Sequence, residues 1–139
     1  MRRMNRAYFP CLAIGAVLIV TAIGCGPARY PVEGKVVYEN GEGMPGGGTI
    51  IFEPVDTAAK SARGNINDDG TFKMGTLAEA DGVIEGKYRV AIMPTPPRNP
   101  NKPPKGYPPI QKKYTHHEKS GLEITVTRGT NEYNPKVSK

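Results

Sequence analysis

Tryptophan is absent from the chain, phenylalanine occurs three times, and cysteine occurs only at positions 11 and 25. Beyond residue 25 there is therefore no cysteine for a disulfide framework and no thiolate for a metal. No apolar run reaches the about 20 residues that a membrane-spanning helix needs. These absences exclude a disulfide-stapled scaffold, and the length of the apolar run is shorter than that of a typical spanning helix.

The net positive charge of the chain beyond its amino-terminal segment is smaller than the +6 of the whole sequence. Three of the 19 lysine and arginine residues lie at positions 2, 3 and 6, and without them 16 face 13 acidic residues, a net charge of +3. This small excess is no argument for nucleic-acid binding. The 17 glycines and 14 prolines favour many short elements joined by turns over long helices.

The amino terminus has three zones: an arginine-bearing segment without acid, an apolar run over residues 11–23, and a break at residues 24–27. A run of this length is typical of an export signal, and the charge before it orients the rest outward. Ala22-Ile23-Gly24-Cys25 resembles the lipobox of bacterial lipoproteins. The resemblance implies cleavage between Gly24 and Cys25, and acylation of Cys25 as the membrane anchor. The alternatives are an ordinary secretory signal and an uncleaved anchor.

The chain is accordingly divided into a signal peptide (1–24), a tether (25–31) and one domain (32–139). The tether is short enough to hold the domain close to the membrane. Gly26 is not the aspartate that retains enterobacterial lipoproteins on the inner membrane, which favours an outer-membrane location in the cell envelope.

Short apolar and β-branched runs alternate with turn signals through the domain. They predict seven strands, at residues 32–38, 49–52, 62–67, 71–74, 87–93, 122–127 and 131–137. This spacing is typical of an all-β sandwich. Its predicted core is Val32, Val36, Ile50, Phe52, Ile66, Phe72, Tyr88, Val90, Ile92, Leu122, Ile124 and Val126.

Four linked motifs follow in order: Gly34-Lys35-Val36, Pro45 to Ile50, Asp68 to Phe72, and Gly86-Lys87-Tyr88. Together they resemble the carboxypeptidase regulatory-like domain. The resemblance implies a transthyretin-type or immunoglobulin-like sandwich of seven strands and a non-catalytic, accessory role. It names no ligand and no cofactor.

The segment 94–119 breaks the pattern, because it contains eight prolines and no predicted strand. Residues 95–119 carry a net charge of +5, from cations that include Arg98, Lys102, Lys105, Lys112 and Lys113. One interpretation is a contact arm for anionic lipid, acidic glycan or an acidic envelope protein. The other is a solvated, semi-rigid connection between two strands.

Catalytic signatures are not found. His116 and His117 are adjacent, and neighbouring side chains of an extended segment point in opposite directions, so the pair is a weak start for a metal site. Asp68-Asp69-Gly70 lacks the further ligands of a calcium loop and predicts a turn. We therefore expect a non-enzymatic, membrane-anchored envelope module without metal or cofactor. The alternative is a small envelope enzyme or metal-binding protein that uses His116 and His117.

Overall fold

The computed structural model describes residues 26–139, and within them the chain forms eleven short strands and one 3₁₀ helix at Lys112–Thr115. The strands are β1 (Arg29–Tyr30), β2 (Val32–Lys35), β3 (Val37–Tyr38), β4 (Gly48–Pro54), β5 (Ala62–Ile66), β6 (Thr71–Lys73), β7 (Val83–Ile84), β8 (Gly86–Pro94), β9 (Glu123–Val126), β10 (Asn131–Glu132) and β11 (Lys136–Val137). The prediction of an all-β fold is confirmed.

Seven strands form one mixed sheet in the order β10-β2-β6-β5-β4-β8-β9. The strands β10 and β2 are parallel, and the other neighbours in this sheet are antiparallel. The strands β1 and β7 form an antiparallel pair, while β11 and β3 form a parallel one. The carboxyl-terminal strands thus run alongside the amino-terminal ones, in the same direction.

Each of the seven predicted strands is present in the sheet pairs, but two of them are interrupted. The strand predicted at 32–38 divides at Val36, whose N–H donates to the Gly70 carbonyl oxygen at 2.9 Å. The strand predicted at 131–137 divides into β10 and β11. The strands β1 and β7 are too short to produce a period in the sequence and were not predicted.

The amino-terminal segment is attached to the domain earlier than the sequence indicates. Arg29, which the sequence places in the tether, pairs with Ile84 in the β1–β7 ladder, and its side chain lies 3.1 Å from the Asp81 carboxylate. Burial acts to raise the pKa of Asp81, but backbone N–H donors, with Arg29, lower it on balance. Residues 26–28 alone separate Cys25 from β1.

The core contains ten of the twelve residues predicted for it. Leu122 and Ile124 are only half-buried, because β9 forms one edge of the sheet. Eight further residues complete the buried cluster: Tyr38, Met44, Ala62, Met74, Val83, Ile110, Tyr114 and Val137. Two of these, Ile110 and Tyr114, come from the segment in which no core residue was predicted.

Tyr133, just after β10, packs edge-on against Phe52 of β4, with ring centroids 5.8 Å apart. Burial, with a smaller contribution from Glu123, raises the pKa of Tyr133 to about 12 from the ordinary 10.0. The folded state therefore holds this proton more tightly than the unfolded state does. The stabilisation that results from the raised pKa of Tyr133 is complete below pH 10 and is lost as the pH rises toward 12.

We expect Tyr133→Phe to flatten the fall of the unfolding free energy over this alkaline interval, because phenylalanine keeps the ring contact but has no proton to lose. Denaturant unfolding of both proteins at several pH values measures it. Two curves that stay parallel between pH 10 and 12 would contradict the assignment.

Candidate basic site

The candidate site is the loop formed by residues 95–119 between β8 and β9, called the basic loop below. It exposes six cations against one acid, Glu118: Arg98, Lys102, Lys105, Lys112, Lys113 and Lys119. Among residues 26–139, the ion pairs join Arg29 to Asp81, Lys73 to Glu33, Lys87 to Glu123 and Arg128 to Glu85. No cation of the basic loop takes part in them, so its charge is available to a partner.

The second half of the basic loop packs on the domain. Ile110 and Tyr114 are 1% and 7% exposed, and the Tyr38 hydroxyl donates to the Pro109 carbonyl oxygen at 2.9 Å. The Gln111 N–H donates to the Ser138 carbonyl oxygen at 3.0 Å. The prediction of a solvated connection is therefore wrong for this half, whereas residues 98–106 are all exposed.

The return of the loop to the sheet depends on a buried serine. The Ser120 hydroxyl donates to the Val90 carbonyl oxygen at 2.6 Å and accepts the Leu122 N–H at 3.1 Å. Its hydroxyl thereby forms hydrogen bonds with one backbone carbonyl and one backbone N–H that would otherwise lie unpaired where β9 begins. The loop is fixed at this end by Ser120 and in its middle by Ile110 and Tyr114.

The 3₁₀ helix turns its tyrosine inward and its lysines outward. The Tyr114 hydroxyl lies 3.2 Å from the Ser138 hydroxyl, and the Lys113 ammonium lies 4.8 Å from the centre of the Tyr114 ring. The contact with Ser138 is the main cause that lowers the pKa of Tyr114, and Lys113 adds to it. Lys112 and Lys113 thus stand on a short helix that the core holds in place.

The first half of the loop borders a groove of about 360 Å³, called the distal groove below. One side is the turn of Pro45, Gly46 and Gly47, and the Thr95 N–H donates to the Gly47 carbonyl oxygen at 3.3 Å. The remaining wall consists of five prolines together with Thr95, Lys105, Gly106 and Tyr107, the prolines being Pro94, Pro96, Pro97, Pro104 and Pro109. The lining is therefore mostly apolar rings, with one cation and one tyrosine.

The basic loop and the amino terminus lie at opposite ends of β8. At the amino-terminal end of β8 lies β7, which pairs with β1. At the carboxyl-terminal end, the basic loop starts directly after Pro94, the last residue of β8. The nine residues of β8 span roughly 26 Å at ~3.3 Å per residue.

Acidic residues also lie in connecting segments at the end of the domain that carries the basic loop: Glu39, Glu42, Asp68 and Asp69. Within residues 26–139 none of them forms an ion pair with a cation of the basic loop.

A larger depression, of about 620 Å³, lies along β2, β6 and β10. Its charged residues have both signs, and Lys73 lies 3.6 Å from the Glu33 carboxylate within it. It therefore concentrates no charge of one sign, which distinguishes it from the basic loop.

The two histidines lie beside the 3₁₀ helix. The His116 Nδ1 atom is 2.9 Å from the Thr115 hydroxyl. In the part of the chain that the structure describes, no three histidine, cysteine, aspartate or glutamate side chains come together as a metal-binding group. The metal-binding interpretation gains no support from this part of the chain.

The lipidation site at Cys25 and the cleavage site between Gly24 and Cys25 lie outside the described residues, and both stay predictions. Between residues 26 and 139, no helix has the length and apolar character needed to cross a bilayer.

The structure brings Lys105 and Tyr107 together with the turn of Pro45–Gly47, a neighbourhood that the sequence did not reveal. It depends on the pairing of Gly48 with Pro94 across β4 and β8, for which no local motif exists. Comparison with protein-family models, with curated proteins and with solved structures gives no match to this chain.

Proposed function

We propose that this protein is an exported lipoprotein whose lipid anchor is Cys25 and whose single domain is a non-catalytic binding module of the cell envelope. The domain is a β-sandwich of the carboxypeptidase regulatory-like type. The basic loop binds an anionic partner outside the cytoplasm, and the anchor keeps the domain at the membrane, in the outer membrane of a cell that has one.

The case for export and lipidation comes from the amino terminus. Its arginines, its 13-residue apolar run and the Gly24-Cys25 pair occur in the order of a lipoprotein signal. A single acyl chain binds a membrane only marginally, and the three chains expected on a lipoprotein cysteine make the attachment permanent. Three residues, 26–28, then connect Cys25 to β1, so the domain is held at the surface.

One ring contact, between strands that are not neighbours in the sheet, supports a sandwich. In a flat sheet β10 and β4 would stand about 19 Å apart at ~4.8 Å per strand, since four intervals separate them. The ring centroids of Phe52 and Tyr133 nevertheless lie only 5.8 Å apart, which supports a sheet that folds over on itself. The ladder between β5 and β6 pairs Ile66 with Phe72 and resumes at the bridge of Arg63 with Gly75, and the interruption between these two pairs is where such a fold is easiest.

The unpaired charge of the basic loop is the observation that carries the binding role. Exposed cations that serve solubility alone are usually scattered and mixed with acids. Here six are gathered in 25 residues, and the burial of Ile110 and Tyr114 fixes to the core the half of the loop that carries Lys112, Lys113 and Lys119. A preordered cationic surface loses little conformational entropy when an anionic partner binds.

Neutralising four lysines of the loop, by Lys102→Gln, Lys105→Gln, Lys112→Gln and Lys113→Gln together, is expected to weaken anion binding by at least about tenfold. The full chain in uncharged detergent is titrated with dextran sulfate, with uncharged dextran as the blank polymer. Wild-type binding is expected to weaken as salt is added, because exposed charges are screened.

The matched control removes the same number of charges outside the loop, by Lys60→Gln, Lys73→Gln, Lys87→Gln and Lys136→Gln. All four lysines are exposed, and two of them, Lys73 and Lys87, form ion pairs with Glu33 and Glu123. If both quadruple variants lose binding to the same extent, net charge and not the loop is responsible, and the proposed role fails.

A further inference from the structure

We infer that the distal groove is a subsite for one acidic sugar unit, and that the partner of the basic loop is an acidic polysaccharide rather than the membrane that anchors the protein. This inference rests on the proposed function and makes its ligand specific. It comes from where the groove lies and from what lines it.

The position of the groove directs it away from the anchoring bilayer. The lipid at Cys25 holds the end of the domain where β1 pairs with β7, and the groove lies at the other end of β8, roughly 26 Å away at ~3.3 Å per residue. Electrostatic attraction between exposed charges extends about 8 Å at physiological ionic strength. With β8 directed away from the bilayer, Lys105 and the groove lie beyond reach of the lipid headgroups and face polymers that extend from elsewhere in the envelope.

The lining of the groove selects a ring that has both an apolar face and a charge. Five proline rings and the half-buried Tyr107 provide apolar surfaces, and Lys105 is the one cation among them. A sugar ring presents C–H groups on its faces, which pack on such surfaces, while a uronic acid also carries a carboxylate for the Lys105 ammonium. The volume of about 360 Å³ lies at the lower end of the ~300–1,000 Å³ range of ligand pockets, as expected for one small unit of a longer chain.

The remaining cations suit the rest of such a polymer. Arg98 and Lys102 lie on the exposed part of the loop, and Lys112 and Lys113 lie on the 3₁₀ helix that follows. A repeating chain of acidic sugars meets these charges in succession after one unit enters the groove. An acidic peptide matches the charges equally well, but an acidic side chain offers no ring to the prolines and Tyr107.

The test titrates the full chain in uncharged detergent with polygalacturonate. Fully methyl-esterified polygalacturonate keeps the sugar rings without charge, and polyglutamate keeps the charge without sugar rings. We expect polygalacturonate to bind at least about fivefold more tightly than polyglutamate at equal carboxylate concentration, and the ester to bind far more weakly than either.

Two substitutions isolate the groove. Tyr107→Leu is expected to weaken polygalacturonate binding about fivefold and to leave polyglutamate binding unchanged, whereas Tyr107→Phe restores the ring contact. Lys105→Gln is expected to weaken both, and the exposed Lys60→Gln neither. Tyr107 lies outside the buried core cluster, so these variants keep the fold.

Equal binding of polygalacturonate and polyglutamate, or no effect of Tyr107→Leu, overturns the sugar subsite and leaves the proposed anion-binding role intact. Loop-dependent binding of the lipidated protein to the anionic vesicles in which it is anchored, at physiological salt, overturns the outward orientation. Loss of the loop dependence with dextran sulfate is the separate result that defeats the proposed function itself.

Discussion

Replacement of Cys25 with serine is expected to abolish both lipid attachment and signal cleavage, so that the protein accumulates as an unlipidated precursor that still carries residues 1–24. Acyl chains stabilise membrane attachment by about 0.8 kcal/mol for each buried CH₂ group, so two or three chains give an attachment that does not reverse. A serine hydroxyl is not alkylated with diacylglycerol as the cysteine thiol is, and the lipoprotein peptidase acts only after that alkylation. The variant therefore keeps its signal unprocessed by this route and carries no lipid.

Mass spectrometry of the intact protein measures the loss of processing, and mass spectrometry of the mature amino terminus identifies the lipid. Cys11 is the matched control because it lies inside the apolar run, at the start of the predicted signal. Cys11→Ser is expected to leave processing and lipid attachment unchanged. Wild-type and Cys25→Ser proteins whose masses differ only by the substitution would support an uncleaved anchor, and a cleaved, unlipidated wild type would support an ordinary secretory signal.

The second large effect is expected from Gly34→Ala in β2. A Cβ atom at Gly34 would collide with the Tyr133 carbonyl oxygen, since the segment after β10 crosses directly over this residue. The clash would push that segment away and strain two hydrogen bonds, from the Tyr133 N–H to the Glu33 carbonyl oxygen at 3.0 Å and from the Lys35 N–H to the Asn134 side chain at 2.9 Å. The combined cost is about 4 kcal/mol.

A loss of this size is a large part of the about 5–15 kcal/mol that stabilises a domain. It is expected to lower the midpoint of thermal unfolding by roughly 15–25 °C for a chain of this length. Circular dichroism of the full chain in uncharged detergent measures it. Gly41→Asn is the control, because no atom lies within 4 Å of its added Cβ and asparagine tolerates its positive φ of 86°. If both variants unfold together with the wild type, the carboxyl-terminal segment does not pack on Gly34.

Most of the strand pattern could be predicted because it depends on local alternation. The strand β8 is an example: Tyr88, Val90 and Ile92 lie on one side of a period of two, and all three are buried. Turn chemistry is equally local. At the predicted hairpin of Asp68 to Gly70, the Asp69 carboxylate accepts the Thr71 N–H at 3.0 Å, and hydrogen bonds from Thr71 are the main cause that lowers the pKa of Asp69.

The core contribution of the basic loop could not be predicted. Ile110 and Tyr114 stand among prolines and lysines with no apolar period around them, so composition favoured a solvated connection. Their burial depends on the ends of β3 and β11, which are remote in sequence and contact the loop only in the folded chain. The distal groove has the same origin, since its two walls are about 50 residues apart.

The sequence by itself determined the all-β class and the concentration of positive charge in one segment, and it predicts the export signal that ends at Cys25. These are properties of composition and short-range order, which neighbouring residues alone establish. Only the tertiary structure decided that the second half of the charged segment is fixed to the core, that the first half borders an apolar groove, and that this groove lies at the opposite end of β8 from the β1–β7 pair. The physical reason is that pairing of distant strands, and the close approach of backbone at Gly34, bring together groups whose separation along the chain carries no local signal.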